Sequence, residues 1–228
     1  MILACEGLSK RYGPTDVLAR CDLTIEPGTC TLVSGPSGGG KSTLLRTLAL
    51  IEPADAGLVR HGDRVIEPRS ERALERSDPP YPFLTMVFQQ IHLWPHLTVR
   101  ENVALVLSGS PSAPFDPGTD DLLATFGVDH VLDLRPHECS LGQRQRVAIA
   151  RALRMPTQFV LMDEPASALD RANRAILAGE LLKAKRAGRG LLIVSHQEEE
   201  LDPVVDKRLE LEHGVLHPIV RARAQHPA

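Results

Sequence analysis

The sequence predicts an α/β fold built on a mainly parallel sheet, with an N-terminal antiparallel β part and an inserted helical segment. Three observations predict it. Two short runs, Phe159-Val-Leu-Met162 and Leu191-Leu-Ile-Val194, are continuously apolar, as strands are when helices cover both faces of a parallel sheet. Helical stretches flank them, Gln143 to Leu153 and Arg171 to Ala187, the second ending at Gly188. A glycine-rich segment joins a third apolar strand to a helix near residue 40. Strands alternating with helices in this way form α/β cores.

In chain order, the first 35 residues read as short strands and turns. Asp22-Leu-Thr-Ile-Glu26 alternates polar and apolar, then meets the turn Pro27-Gly28. Thr29-Cys-Thr-Leu-Val-Ser34 is a strand entering the glycine-rich loop, after which Leu44, Leu45 and Leu48 mark one helix face. Thr98 to Leu107 and Asp120 to Phe126 read as helices, and Ser108 to Gly118, rich in Pro, Ser and Gly, reads as a loop between them. Residues 1–90 and 141–228 are expected to form the α/β core, with the antiparallel part inside 1–70. Residues 91–140 form the helical insert. The tail Arg221–Ala228 reads as a disordered end, and no internal repeat is present.

Bulk properties exclude some functions. The 228 residues carry a formal net charge of −3, whereas general nucleic-acid binders show a basic excess or face. Only 4% are aromatic, too few for a base-stacking platform. Cys5, Cys21, Cys30 and Cys139 form no Cys-x-x-Cys pair, so reduced, partly buried thiols of a cytosolic protein are expected. The N-terminus lacks a signal-peptide pattern. No apolar run nears the roughly 20 residues that span a bilayer.

Gly35-Pro36-Ser37-Gly38-Gly39-Gly40-Lys41-Ser42-Thr43 fits G-x-x-x-x-G-K-[ST]. Glycines let backbone N–H groups turn inward around phosphate oxygens, and the following helix adds its free N–H groups and positive dipole end. Lys41 supplies a cation for the β- and γ-phosphates, and Ser42 a hydroxyl for Mg²⁺. The core is therefore expected to be a P-loop NTPase. Asp163 and Glu164 follow an apolar strand, and ligands of open α/β sheets bind at the carboxyl ends of the strands. Asp163 suits a Mg²⁺ ion, which takes oxygen ligands. Glu164 suits polarisation of an attacking water.

Further segments carry a resemblance. They are Leu8-Ser-Lys-Arg-Tyr12-Gly13, Met86-Val-Phe-Gln89-Gln90, Cys139-Ser140-Leu141-Gly142-Gln143, Ser167-Ala-Leu-Asp170 and Val194-Ser-His196. In this order, with the loop and the acidic pair, they resemble the ATP-binding subunits of ABC transporters over nearly the whole chain. The resemblance implies that Tyr12 stacks on adenine, and that Gln89 meets Mg²⁺ or the attacking water and senses a membrane partner. Ser140, Gly142 and Gln143 belong to the signature, where Ser140 and the Gly142 N–H bind a γ-phosphate held by a second cassette. Asp170 closes the D-loop, and His196 is the switch histidine reaching the γ-phosphate. Ser140 and Gln143 equally match a helix capping box.

The resemblance also implies ATP and Mg²⁺ as cofactors and a membrane permease as partner. A second cassette, identical or different, completes the pair, and a solute-binding protein would act through the permease. Nucleic acid is not expected. The place implied is the cytoplasm, peripheral on the inner face of the cell membrane. The stretch from Val87 to Val103 is very similar to polar amino-acid importers. ATPases of lipid, lipoprotein or drug exporters are the alternative, and a soluble non-transport ABC ATPase is a more distant one. Leu141 departs from the glycine usual at its place, which leaves a slow homodimer and a heterodimer both open. The 108–118 loop departs as well, since relatives usually have more helix there.

Overall fold

The apolar runs become the centre of a six-stranded sheet. This computed structural model describes residues 1–68, 74, 79–110, 112–196 and 199–219, so the expectation for the 221–228 tail lies outside the described residues. Strands β1 (Leu3–Tyr12), β2 (Thr15–Ile25), β3 (Cys30–Ser34), β4 (Ala56–His61), β5 (Arg64–Ile66) and β6 (Leu84–Val87) are followed by β7 (Phe159–Asp163), β8 (Gly190–Val194), β9 (Lys207–Glu212) and β10 (Val215–Pro218). The large sheet has the order β10-β9-β3-β8-β7-β6 and is parallel except for its β9–β10 edge. A second, antiparallel sheet has the order β2-β1-β4-β5.

Helices cover both faces of the large sheet. On one face, α1 (Lys41–Leu48) and the antiparallel sheet bury Val33, Phe159, Leu161, Leu192 and Val194. On the other face, Leu32, Val160, Met162, Leu191 and Ile193 meet a cluster that includes Val147, Leu177 and Leu181. Those three sit on α4 (Leu141–Arg154) and α5 (Arg171–Arg186). Alternate side chains of one strand thus enter two different cores. Each position must be apolar, and a fully buried Leu or Phe contributes about 1.5–3 kcal/mol.

The segment between β6 and α4 contains α2 (Val99–Ser108) and α3 (Pro117–Thr125). Val99, Val103, Leu123 and Phe126 pack into the same cluster as Val147 and Ile149 of α4. The α3 helix begins three residues before the expected Asp120, and Pro117 and Gly118 are helical rather than loop. The reason is capping. Asp116 accepts from the Thr119 N–H at 2.8 Å, and Pro at the first helical position loses no hydrogen bond. Arg154 of α4 grips the same carboxylate at 2.7 and 2.6 Å. Likewise α4 starts at Leu141, two residues before the expected Gln143. The four cysteines are buried free thiols, and burial pushes Cys30 up to about 12. Among the described residues no helix is long and apolar enough to cross a membrane.

Candidate functional site

The sheet order decides where the chemistry gathers. Strand β8 lies between β3 and β7, with Val33 paired to Val194 and Val194 to Asp163. The carboxyl ends of these three strands therefore deliver the 35–41 loop, His196 and the 163–164 pair to one edge. Ser37, Gly38, Lys41, Ser42, Gln89, Asp163, Glu164 and His196 line one cavity of about 320 Å³, together with Ser167. An adjoining space of about 210 Å³ is lined by Ser42, Gln89 and Asp163 as well, with Arg46 among its other walls.

Lys41 is buried. Its ammonium donates to the carbonyls of Gly35 and Pro36, both at 2.9 Å. Burial holds it below the usual lysine range, while Glu164 and Asp163 oppose that shift. His196 Nε2 stands 3.3 Å from Lys41 Nζ and 3.3 Å from Glu164 Oε1. A neutral ring with bare Nε2 accepts from Lys41, whereas one protonated there donates to Glu164. The His196 backbone N–H also reaches Glu164 Oε2 at 3.4 Å. Glu164 itself has φ 49, a left-handed conformation that is costly for a non-glycine residue.

The loop admits little alteration. Gly35 has φ 142, and a Cβ there would lie 2.3 Å from the Leu211 carbonyl oxygen. Gly40, the residue before α1, has φ 95, and its Cβ would lie 2.6 Å from the Val17 carbonyl oxygen. Gly40→Ala is expected to cost at least about 1–2 kcal/mol from handedness alone. That corresponds to a Tm lower by roughly 2–8 °C in a chain of this size, and a melting curve unchanged from the native protein would contradict it. Gly39 and Thr43 belong to the same loop and helix start: a Cβ on Gly39 would meet the Pro36 carbonyl oxygen at 2.9 Å, and Thr43 is buried.

The residues fit a magnesium ion. Asp163 Oδ1 is buried with no hydrogen-bond partner, a costly state that an oxygen-seeking cation would relieve. Burial raises the Asp163 carboxyl above its ordinary range, against the pull of the Ser42 hydroxyl, Arg46 and Lys41. Among the described residues no group of three His, Cys, Asp or Glu forms a metal cage. Mg²⁺ needs none, since it is commonly held by one or two carboxylates with phosphate oxygens and water.

The other expected residues lie apart from this cavity. Tyr12, at the end of β1, is 46% exposed. Its hydroxyl bonds Glu52, and the Lys10 ammonium lies 5.5 Å from its ring centre. Ser140 caps α4, accepting from the Gln143 N–H at 3.2 Å while Gln143 Oε1 accepts from the Ser140 N–H at 2.7 Å. The capping box is therefore present. Leu141, the first residue of α4, is 56% exposed. Gly142 follows it, close to the Ala168 carbonyl oxygen. Asp170 caps α5 by accepting from the Asn173 N–H at 2.8 Å, which holds its carboxyl below the usual range. Sequence reasoning missed Arg46, whose guanidinium donates to the Ser42 carbonyl at 3.2 Å. A basic residue one helical turn beyond Ser42 was the available signal.

Known proteins are similar to this chain in sequence and in fold. A statistical model of the family described as "ABC transporter" matches residues 18–167. The glutamine transport ATP-binding protein GlnQ of Escherichia coli is 37% identical over 213 residues, covering 92% of this chain and 87% of that protein. The sulfoquinovosyl glycerol transport ATP-binding protein SmoE of Agrobacterium fabrum is 36% identical over 215 residues, covering 93% of this chain but 58% of that protein. The dimeric structure of MJ0796, a bacterial ABC transporter cassette, superimposes with a TM-score of 0.80 at 27% identity, covering 94% of this chain and 96% of that one. The chain belongs to the ABC transporter family, as one of its ATP-binding, ATP-hydrolysing cassettes.

Proposed function

We propose that this cassette hydrolyses Mg²⁺-bound ATP at the 35–43 loop and thereby powers uptake of a polar amino acid through a separate permease. One observation carries the hydrolytic part: Lys41, Ser42, Asp163, Glu164 and His196 share a single cavity. In this reading Lys41 leaves the loop carbonyls for the β- and γ-phosphates, which the N–H groups of residues 38–43 surround. Ser42, Asp163 and Gln89 would hold the metal, which supplies charge neutralisation at the phosphates. Glu164 takes up the proton of the attacking water, and His196 orients Glu164 and the terminal phosphate. Tyr12 offers an exposed ring to adenine.

The cassette works as one of a pair. Ser140 is exposed and Gly142 and Gln143 are half-buried at the start of α4, where the positive dipole end and the Gly142 N–H, outside the capping box, suit a phosphate held by the facing cassette. Asp170, also exposed, belongs to the same contact. The dimeric form of MJ0796 supports the pairing. Leu141 projects from that helix start into solvent, so its bulk would be met by the facing cassette and not by its own core. Residues 91–140 act as the insert that meets the permease, and the protein sits on the inner face of the membrane.

The amino-acid reading rests on the match to GlnQ over 87% of that protein, set against 58% of SmoE. Uptake of labelled solutes by cells lacking this chain tests it. The expected result is loss of uptake of a polar amino acid, restored by the native chain and not by Glu164→Gln. Intact amino-acid uptake with loss of sugar-derivative uptake would contradict the proposal.

A further inference from the structure

We propose that Gln145 is a positioning residue that holds Glu164 in its hydrolytic orientation and ties it to the start of α4. This inference rests on the reading of Glu164 as the group that activates water. Gln145 lies in the first turns of α4 and is only 3% exposed. A buried amide must find partners for its donor and acceptor groups. Among the described residues, the hydrogen bonds of this side chain go to residues 164–168 and none to its own helix. Nε2 lies within donating distance of the Glu164 carbonyl at 3.2 Å, the Pro165 carbonyl at 2.8 Å and the Ser167 hydroxyl at 3.3 Å. Oε1 accepts from the Ala168 N–H at 2.9 Å.

The segment so gripped is the one that needs holding. Glu164 has a left-handed backbone, and such conformations persist only when their surroundings fix them. Its N–H is fixed from one side by the Val194 carbonyl at 2.9 Å. Its carbonyl is fixed from the other side by Gln145 and by the Ser167 N–H, the latter at 3.2 Å. Together these bonds set the planes of both peptides flanking Glu164, and hence the direction of its carboxylate. The α4 backbone also runs close to this segment, since a Cβ on Gly142 would lie 3.1 Å from the Ala168 carbonyl oxygen. A displacement of the Ser140–Gln143 turn is therefore passed to Glu164 through one side chain.

Two substitutions isolate the role. Gln145→Met keeps the length and removes all four interactions. Gln145→Glu keeps an acceptor for Ala168 but loses the donors and faces two carbonyls. The expected result is kcat lower by about 10–100-fold, as for misplacement of a reacting group by ~1 Å, with ATP affinity by calorimetry within about twofold of native. Adding Gln145→Met to Glu164→Gln is expected to cause no further loss, as for residues that act as a unit. Turnover near native in either folded variant, or an equal loss of ATP affinity and kcat, would overturn the inference. Absence of cooperative melting in both variants would mark a structural strut and overturn it too. Measuring Glu164→Gln alone separates the two claims. Native turnover there defeats the reading of Glu164 and this inference together, whereas an inactive Glu164→Gln beside fully active Gln145 variants defeats the positioning role alone.

Discussion

Lys41→Ala is expected to weaken ATP binding by about 2–5 kcal/mol, the usual cost of removing one partner of a desolvated charge pair. That is roughly 30-fold to a few thousand-fold in Kd. The size follows from the site's electrostatics. The Lys41 ammonium is a buried cation close to both the loop and the 163–164 carboxylates. Without it, phosphate charge would enter a cavity that retains two acidic residues and His196. The fold should survive, since the lost interactions are to the loop carbonyls of Gly35 and Pro36 and to His196. Calorimetric titration with ATP and Mg²⁺ checks this, and an unchanged Kd would refute the role given to the loop.

Glu164→Gln should act on a different quantity. The amide keeps the shape of the side chain but takes up no proton, and removing such a group typically costs about 10²–10⁴-fold in rate. ATP binding should persist, because the phosphate ligands are unchanged. Two variants flanking one histidine would then fail in opposite ways, one by affinity and one by turnover. ATP retained without hydrolysis should keep paired cassettes together, giving a dimer by size exclusion with ATP and Mg²⁺. A Glu164→Gln protein that turns over at the native rate, or stays monomeric with ATP, would count against the hydrolytic reading.

Much of the site was legible because its chemistry needs rare residue types in fixed order. The 35–43 loop is one unbroken segment, and Asp163–Glu164 follows an apolar strand that is buried throughout. Strands covered on both faces are also the easiest to read, as β7 and β8 show. Half-covered strands are harder. In β9, Lys-Arg-Leu-Glu-Leu-Glu buries only alternate residues, and its charged members mask the pattern. The short β6 ends just before Phe88 and Gln89, so its apolar residues read as part of the loop segment. The start of α3 was obscured because Pro117 and Gly118 signal a turn unless Asp116 is known to cap them. Gln145 could not be singled out among the Gln and Arg residues that open α4. Its partners are about 20 positions further along the chain, and only the fold brings them within reach.

A crystal structure of Glu164→Gln grown with ATP and Mg²⁺ tests the central claim most directly. The account predicts a triphosphate in the loop, Lys41 on its outer phosphates, and the metal between Ser42, Asp163 and the phosphate oxygens. Nucleotide bound elsewhere on the molecule, or a metal remote from Asp163, would contradict it.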